Sequence, residues 1–387
     1  MIKKYFLSNK IINAIKKIVK KKKVSLHEPF FIAKEKSYLN LCISKNSVSA
    51  RGFFVNKFEK KIKSLTKAKY IILTNSGTSA LHLALIGAGV RKNEEVLMPS
   101  FNYIASANAT LYCNAIPHFI EINKSTLGVD SEKLDSYLSE ILVKKGKYYI
   151  NKKTKRYIGA LICLHVFGHS AQIDKIKNVC QKYNIPLVED AAEALGSLYK
   201  NKHLGTFGLA GVLSFNGNKI VTSGCGGAII TNNNYIAKRL LHLSKISKIS
   251  HKFKYNYDEI GYNYQMPNLN AALGYGQIEK INYFVKLKRK LFIKYKQAFA
   301  NIEGVELFEE PKNSKSNYWL QTLILKKRNR TLRDYILNKL NTNGLGSRPI
   351  WNPLHKINYL NKFPKSRLDI TMEMNDRIIN IPSSAFL

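Results

Sequence analysis

The strongest constraint on the fold is an alternation that runs through the first two thirds of the chain. A short apolar run is followed by a turn of small or polar residues, then by a stretch with helical spacing. Residues 70–73 lead into Thr74-Asn75-Ser76-Gly77-Thr78-Ser79 and a helix expected over 80–88. Residues 95–98 end at Pro99-Ser100-Phe101-Asn102-Tyr103, before a helix over 105–113 and a strand over 117–120. Residues 157–164 end at His165-Val166-Phe167-Gly168-His169, and a helix over 172–183 precedes a strand over 186–189. Apolar runs of this length between helices read as buried strands. Repeated strand–helix units predict an α/β domain around a mostly parallel sheet. Such sheets bind ligands at the C-terminal ends of their strands, so the polar residues directly after each run are the first candidates for a site.

Residues 186–231 concentrate those candidates. Asp190 follows the apolar run Pro186-Leu187-Val188. Lys219 lies in Ser214-Phe215-Asn216-Gly217-Asn218-Lys219, followed by Thr222-Ser223-Gly224-Cys225-Gly226-Gly227 and a strand over 228–231. Alone, Lys219 reads as a surface lysine after a turn. With Asp190 it suits pyridoxal phosphate (PLP), which needs an amine for a Schiff base and an acid partner for its ring nitrogen. Its phosphate needs donors, and the turn at 74–79 offers them: free amides at a helix N-terminus favour an anion, Gly77 permits close approach, and Thr78 adds a hydroxyl. A capped helix start explains that turn equally well on its own.

Val188-Glu189-Asp190-Ala191-Ala192-Glu193-Ala194-Leu195-Gly196-Ser197 and Ser214-Phe215-Asn216-Gly217-Asn218-Lys219-Ile220 resemble the DegT/StrS-type sugar-nucleotide aminotransferases. The resemblance runs from about Leu26 to the C-terminus. It implies the type I PLP-dependent aminotransferase fold of the α/β class: a large domain with a mostly parallel central sheet plus a smaller C-terminal α+β domain. The expected division is a basic extension over 1–25, a PLP-binding domain over 26–279 and a small domain over 280–387. The resemblance implies that Lys219 and Asp190 are catalytic. Gly77, Thr78 and Ser214 bind the phosphate, Tyr103 stacks on the ring, and Glu193 lies near the phenolic oxygen. Asn263, in Gly261-Tyr262-Asn263-Tyr264, would reach a neighbouring subunit's cofactor, which implies a homodimer with shared sites. His27, Glu28, Arg348 and His355 are substrate candidates; His27, Glu28 and Arg348 read equally as structural residues. Some relatives carry histidine in place of the lysine and dehydrate their substrates, so Lys219 favours transamination from L-glutamate to a nucleotide-sugar. The wording most resembles the branch that aminates UDP-4-keto-6-deoxy-N-acetylglucosamine on the way to legionaminic acid. A dTDP-linked or other keto sugar is the near alternative.

Composition bounds the remaining readings. Apolar residues make up 45% of the 387, enough for a sizeable core. The net charge of +38 raises the rival of a non-enzymatic protein that binds nucleic acid or membrane. The lysines are scattered, however, and no nucleic-acid-binding pattern stands out, so the expectation is an enzyme that binds no nucleic acid. A positive field also favours anionic nucleotide-sugars. The five cysteines form no C-x-x-C pair, and His165 and His169 lack metal-ligand spacing, so no disulfide framework or metal is expected. Neither an 18-residue apolar run nor a signal-peptide pattern is seen, and a cytoplasmic location is expected. Residues 1–23, ending in Lys20-Lys21-Lys22-Lys23, read as a basic helix at the surface or at a subunit contact. A peripheral anchor on anionic lipid is the alternative.

Overall fold

The structure is a computed structural model that describes residues 2–146 and 148–387. Its centre is a seven-stranded sheet in the order Tyr70–Thr74, Gly227–Thr231, Ala210–Ser214, Leu187–Asp190, Ile158–Leu164, Glu95–Pro99, Ile116–Ile120. Gly227–Thr231 runs antiparallel to both neighbours, and the other adjacent pairs are parallel. Both faces are covered, which is why these strands read as continuous apolar runs. Successive side chains alternate between two cores. Leu97, Leu161, Leu187 and Leu213 enter one; Val96, Met98, Ile162, Val188 and Val212 enter the other.

One central strand, Ala210–Ser214, lies outside the strands expected from the sequence. Ala210–Ser214 contains Gly211, where a Cβ would lie 2.0 Å from the Gly205 carbonyl oxygen. Close backbone approach demanded glycine there, at the cost of an apolar residue. Residues 144–156 are rich in Lys, Asn and Tyr, a composition that reads as a surface excursion, but they are partly strand. Leu142–Lys145 and Tyr148–Asn151 pair as an antiparallel hairpin. Its base is tied to the buried Glu95, which accepts from Asn151 Nδ2 at 3.1 Å and Thr154 Oγ1 at 2.5 Å.

A second, antiparallel sheet follows the long helix Ile281–Phe299. Its order is Val305–Leu307, Gln321–Leu325, Ile378–Ile381, Arg348–Pro349. The helix Ile2–Ile18 packs here, against Ile281–Phe299 and Arg330–Thr342. Ile11, Ile12, Ile15 and Val19 are buried with Leu291, Tyr295, Leu323 and Ile336. This corrects the lipid-anchor alternative for residues 1–23, because the apolar stripe that would enter a bilayer is already covered by protein. It also ties the N-terminal segment to the core of the second sheet. Among the described residues, no helix is long and apolar enough to cross a membrane.

Candidate functional site

The C-terminal ends of the parallel strands open into a cavity of about 290 Å³. Its lining includes Gly77, Thr78, Tyr103, Asp190, Glu193, Ser214 and Lys219. Seven residues singled out in the sequence, spread over more than a hundred positions, thus share one wall. Each follows a strand end or terminates a strand, so the sheet itself delivers them.

The anion turn is built by two glycines. Ser76 caps the helix Gly77–Gly87, its Oγ accepting from the Ser79 N–H at 3.0 Å. That leaves Gly77 and Thr78 at the helix start, where amides lack intrahelical acceptors. Gly227 lies beside both Thr74 and Ser214 in the sheet. A Cβ on it would stand 2.5 Å from Ser76 O and 2.7 Å from Gly77 N. Only glycine lets the turn rest on this strand, and so sets Ser214 opposite Gly77.

Asp190 ends its strand nearly fully buried. Ser106 Oγ donates to its Oδ2 at 3.1 Å, and the Ala192 N–H to its Oδ1 at 3.2 Å. Burial raises its pKa, opposed by these two donors and by the Lys219 charge. Lys219 Nζ donates to Glu193 Oε1 at 3.3 Å and lies 3.9 Å from the centroid of the Trp319 ring. Glu193 takes a second donor, the Phe167 N–H, at 2.8 Å. Phe167 has φ of +56°, an uncommon conformation for a residue with a side chain, and the turn that contains it aims this amide at the carboxylate. Burial pushes Glu193 up to about 7 despite Lys219. Tyr103 keeps 57% of its surface exposed while lining the cavity, so a ring face is available to a ligand.

The remaining candidates fall outside the lining as described. His27 sits behind it, its ring 6.4 Å from that of Trp319. Its pKa is lowered well below the ordinary value by burial, then by the charges of Lys288 and Lys219. Glu28 is exposed, and its N–H donates to Ser384 Oγ at 2.9 Å. His355 is buried with Nδ1 2.7 Å from Ser100 Oγ, and burial pushes its pKa down to about 4. Arg348 is exposed in the last strand of the second sheet. Asn263 is exposed too, and its carbonyl accepts from Asn75 Nδ2 at 3.4 Å. His165 and His169 are buried beneath the site; His165 Nε2 lies 3.0 Å from Glu189 Oε2.

Sequence reasoning missed Ser106, Trp319 and Trp351. The chain has two tryptophans, and both line this cavity. That scarcity, in so lysine-rich a chain, was the available signal. An amine, a buried acid, an anion turn and an exposed aromatic face in one cavity fit the PLP expected from the sequence.

The profile of the DegT/DnrJ/EryC1/StrS aminotransferase family matches residues 31–387. The chain is 33% identical over 361 residues to GDP-perosamine synthase from Vibrio cholerae, covering 93% of this chain and 94% of that one. It is 29% identical over 320 residues to UDP-4-amino-4,6-dideoxy-N-acetyl-beta-L-altrosamine transaminase from Campylobacter jejuni, covering 82% and 81%. Among solved structures, it superimposes with a TM-score of 0.84 on Helicobacter pylori PseC, an aminotransferase involved in the biosynthesis of pseudoaminic acid. That match has 21% identity over 94% of both chains and bears on the fold alone.

Proposed function

This chain belongs to the DegT/DnrJ/EryC1/StrS aminotransferase family and is a PLP-dependent sugar-nucleotide transaminase, and we propose that it moves the amino group of L-glutamate to C4 of a 4-keto-6-deoxy nucleotide-sugar. Bound PLP supplies an aldehyde carbon that takes the donor nitrogen and a ring that withdraws electrons from the reacting carbon. Lys219 holds the cofactor through its amine. It is also the proton carrier: Nζ removes the α-proton of glutamate and later delivers a proton to C4 of the sugar. Asp190, steadied by Ser106 and the Ala192 amide, keeps a proton on the ring nitrogen. Gly77, Thr78 and Ser214 bind the phosphate, and Tyr103 covers one ring face. Glu193, which burial pushes up to about 7, would stand near the ring's phenolic oxygen and, when protonated, would donate to it in place of a clash of two anions. Arg348 offers its guanidinium to the sugar's diphosphate. Asn263, outside its own chain's cavity, is available to the cavity of a second copy in a homodimer.

The observation that carries this reading is the confinement of the Lys219 amine in the same cavity as Asp190 and the Gly77 turn. A UDP-linked N-acetylglucosamine derivative is the acceptor that the sequence wording favours. A GDP-linked sugar is the second reading, carried by the similarity to GDP-perosamine synthase. All five cysteines are free thiols, which suits a cytoplasmic enzyme. The test is the visible absorbance of the PLP-loaded protein before and after L-glutamate, then product analysis with UDP-, GDP- and dTDP-linked 4-keto-6-deoxy sugars. We expect a band that glutamate bleaches, and amination of one of the sugars. Lys219→Ala should abolish turnover while phosphate contacts still retain cofactor. Full activity in that variant would sink the assignment.

A further inference from the structure

The proton carrier has a neighbour that this reading leaves without a role. Trp319 lies in Ser316-Asn317-Tyr318-Trp319, just before the strand Gln321–Leu325 of the second sheet. Its indole N–H donates to the Asn218 carbonyl at 2.8 Å. Asn218 immediately precedes Lys219. The face of the same ring lies under Lys219 Nζ, 3.9 Å from ring centroid to nitrogen. One side chain therefore grips the lysine twice, at the backbone where the residue begins and at the amine where it ends.

The grip is itself held. Trp319 is 5% exposed, and its backbone N–H donates to Asn317 Oδ1 at 2.8 Å. Asn317 Nδ2 donates to the carbonyls of Glu193 at 2.8 Å and Leu195 at 2.9 Å. The same short segment thus fixes the loop carrying Glu193, the other partner of the amine. Gly168 makes room for it, since a Cβ there would lie 1.9 Å from Asn317 Oδ1.

We propose that Trp319 is a positioning residue for Lys219, its edge fixing the lysine's backbone and its face fixing where the amine rests. The proposal rests on the reading of Lys219 as the residue that holds PLP and carries the proton. A lysine has four rotatable side-chain bonds, and freezing them in the reactive geometry costs entropy at each turnover unless the fold has done so beforehand. An indole face attracts an ammonium group better than other aromatic rings do. The two contacts separate by substitution. Trp319→Phe keeps a ring face and loses the N–H; Trp319→Leu loses both.

The experiment follows the rate at which the visible band appears when PLP is added to the full-length chain. Borohydride reduction and mass spectrometry then locate the covalent link. Turnover with glutamate supplies kcat and KM, and thermal unfolding reports whether each variant is folded. If the parent chain shows no link at Lys219, the reading of the lysine fails, whatever Trp319 does. With the link in place, Trp319→Leu should slow capture and lower kcat by about tenfold each, leaving KM for glutamate within about threefold. Trp319→Phe should fall between that variant and the parent. Capture and kcat of Trp319→Leu within about twofold of the parent would overturn the proposal. So would a raised KM with kcat unchanged, which would make Trp319 a wall of the substrate pocket. Should Trp319→Leu not fold, Trp319→Phe decides: capture slowed about threefold or more supports the edge contact, and an unchanged rate overturns it.

Discussion

Glu193 is the residue whose chemistry departs furthest from its ordinary behaviour while facing the amine. It is buried, and burial lifts its pKa from 4.5 to about 7 against the pull of Lys219. The fold therefore binds a proton that the unfolded chain releases. The resulting stability is fully present below about pH 4.5 and is lost as pH rises through about 7, a change on the order of 3 kcal/mol. Glu193→Gln, which carries no titrating proton, should flatten that part of the profile. Urea unfolding of the PLP-free parent and variant at pH 5 and pH 8 checks it through the difference between the two proteins, in which the histidine contributions cancel. That difference should change by about 3 kcal/mol between the two pH values, and pH profiles that run parallel would assign the pH dependence elsewhere. At this scale the site divides cleanly into what was legible and what was not. Asp190 and Gly77 follow apolar runs, so strand-end logic reaches them. Lys219 stands out as an amine in a Gly/Ser/Asn-rich turn near Asp190, and Tyr103, Glu193 and Ser214 come from the resemblance to the family. Trp319 lies a hundred positions beyond Lys219, and Ser106 sits inside a helix. Neither has a local pattern, because only the fold brings them to the amine and the acid.

At the scale of elements, the helix Ile2–Ile18 shows what periodicity does and does not say. The near-helical spacing of Ile11, Ile12, Ala14, Ile15 and Ile18 implies a helix with one apolar face. It does not say what covers that face, and a bilayer, a second subunit and the chain's own helices all satisfy the same pattern. The contacts with Ile281–Phe299 and Arg330–Thr342 decide it. Ile15 is fully buried in that contact, whereas Lys16 is exposed and its Nζ donates to Asn343 Oδ1 at 2.9 Å. Ile15→Ala should cost roughly 2–5 kcal/mol by urea unfolding. Lys16→Ala should stay within about 0.5 kcal/mol. Equal, small effects would mean that the helix does not contribute to the folded unit. The strand Ala210–Ser214 marks the opposite limit. It is central and buried but lies outside the strands expected from the sequence, and close packing against Gly205 puts a glycine in the middle of its apolar run Leu209-Ala210-Gly211-Val212-Leu213.

For the whole molecule, the decisive balance is between buried bases and an excess of positive charge. Burial pushes His82, His203 and His355 down to about 4, and His169 to about 3. Each is neutral in the fold. As pH falls below about 6.5 the unfolded chain takes up protons that the folded chain refuses, so stability drops from pH 6.5 toward pH 4. Each histidine contributes on the order of 2–3 kcal/mol to that loss. Total stabilities are roughly 5–15 kcal/mol, so a few such groups suffice to unfold the chain. A chain of net charge +38 has little carboxylate with which to compensate, and each new proton adds to the self-repulsion. The expected outcome is a urea midpoint that falls steeply between pH 6.5 and pH 4.5. Raising salt to about 0.3 M should recover only the screened, long-range part of the loss. His169 isolates the other part. Its ring packs edge-on against Phe308 and Tyr318, so His169→Phe preserves an aromatic there and removes the titrating group. That variant should hold its midpoint further into acid than the parent does. If its midpoint falls in step with the parent at both salt concentrations, the acid loss comes from general charge repulsion and the other histidines, and His169 does not contribute.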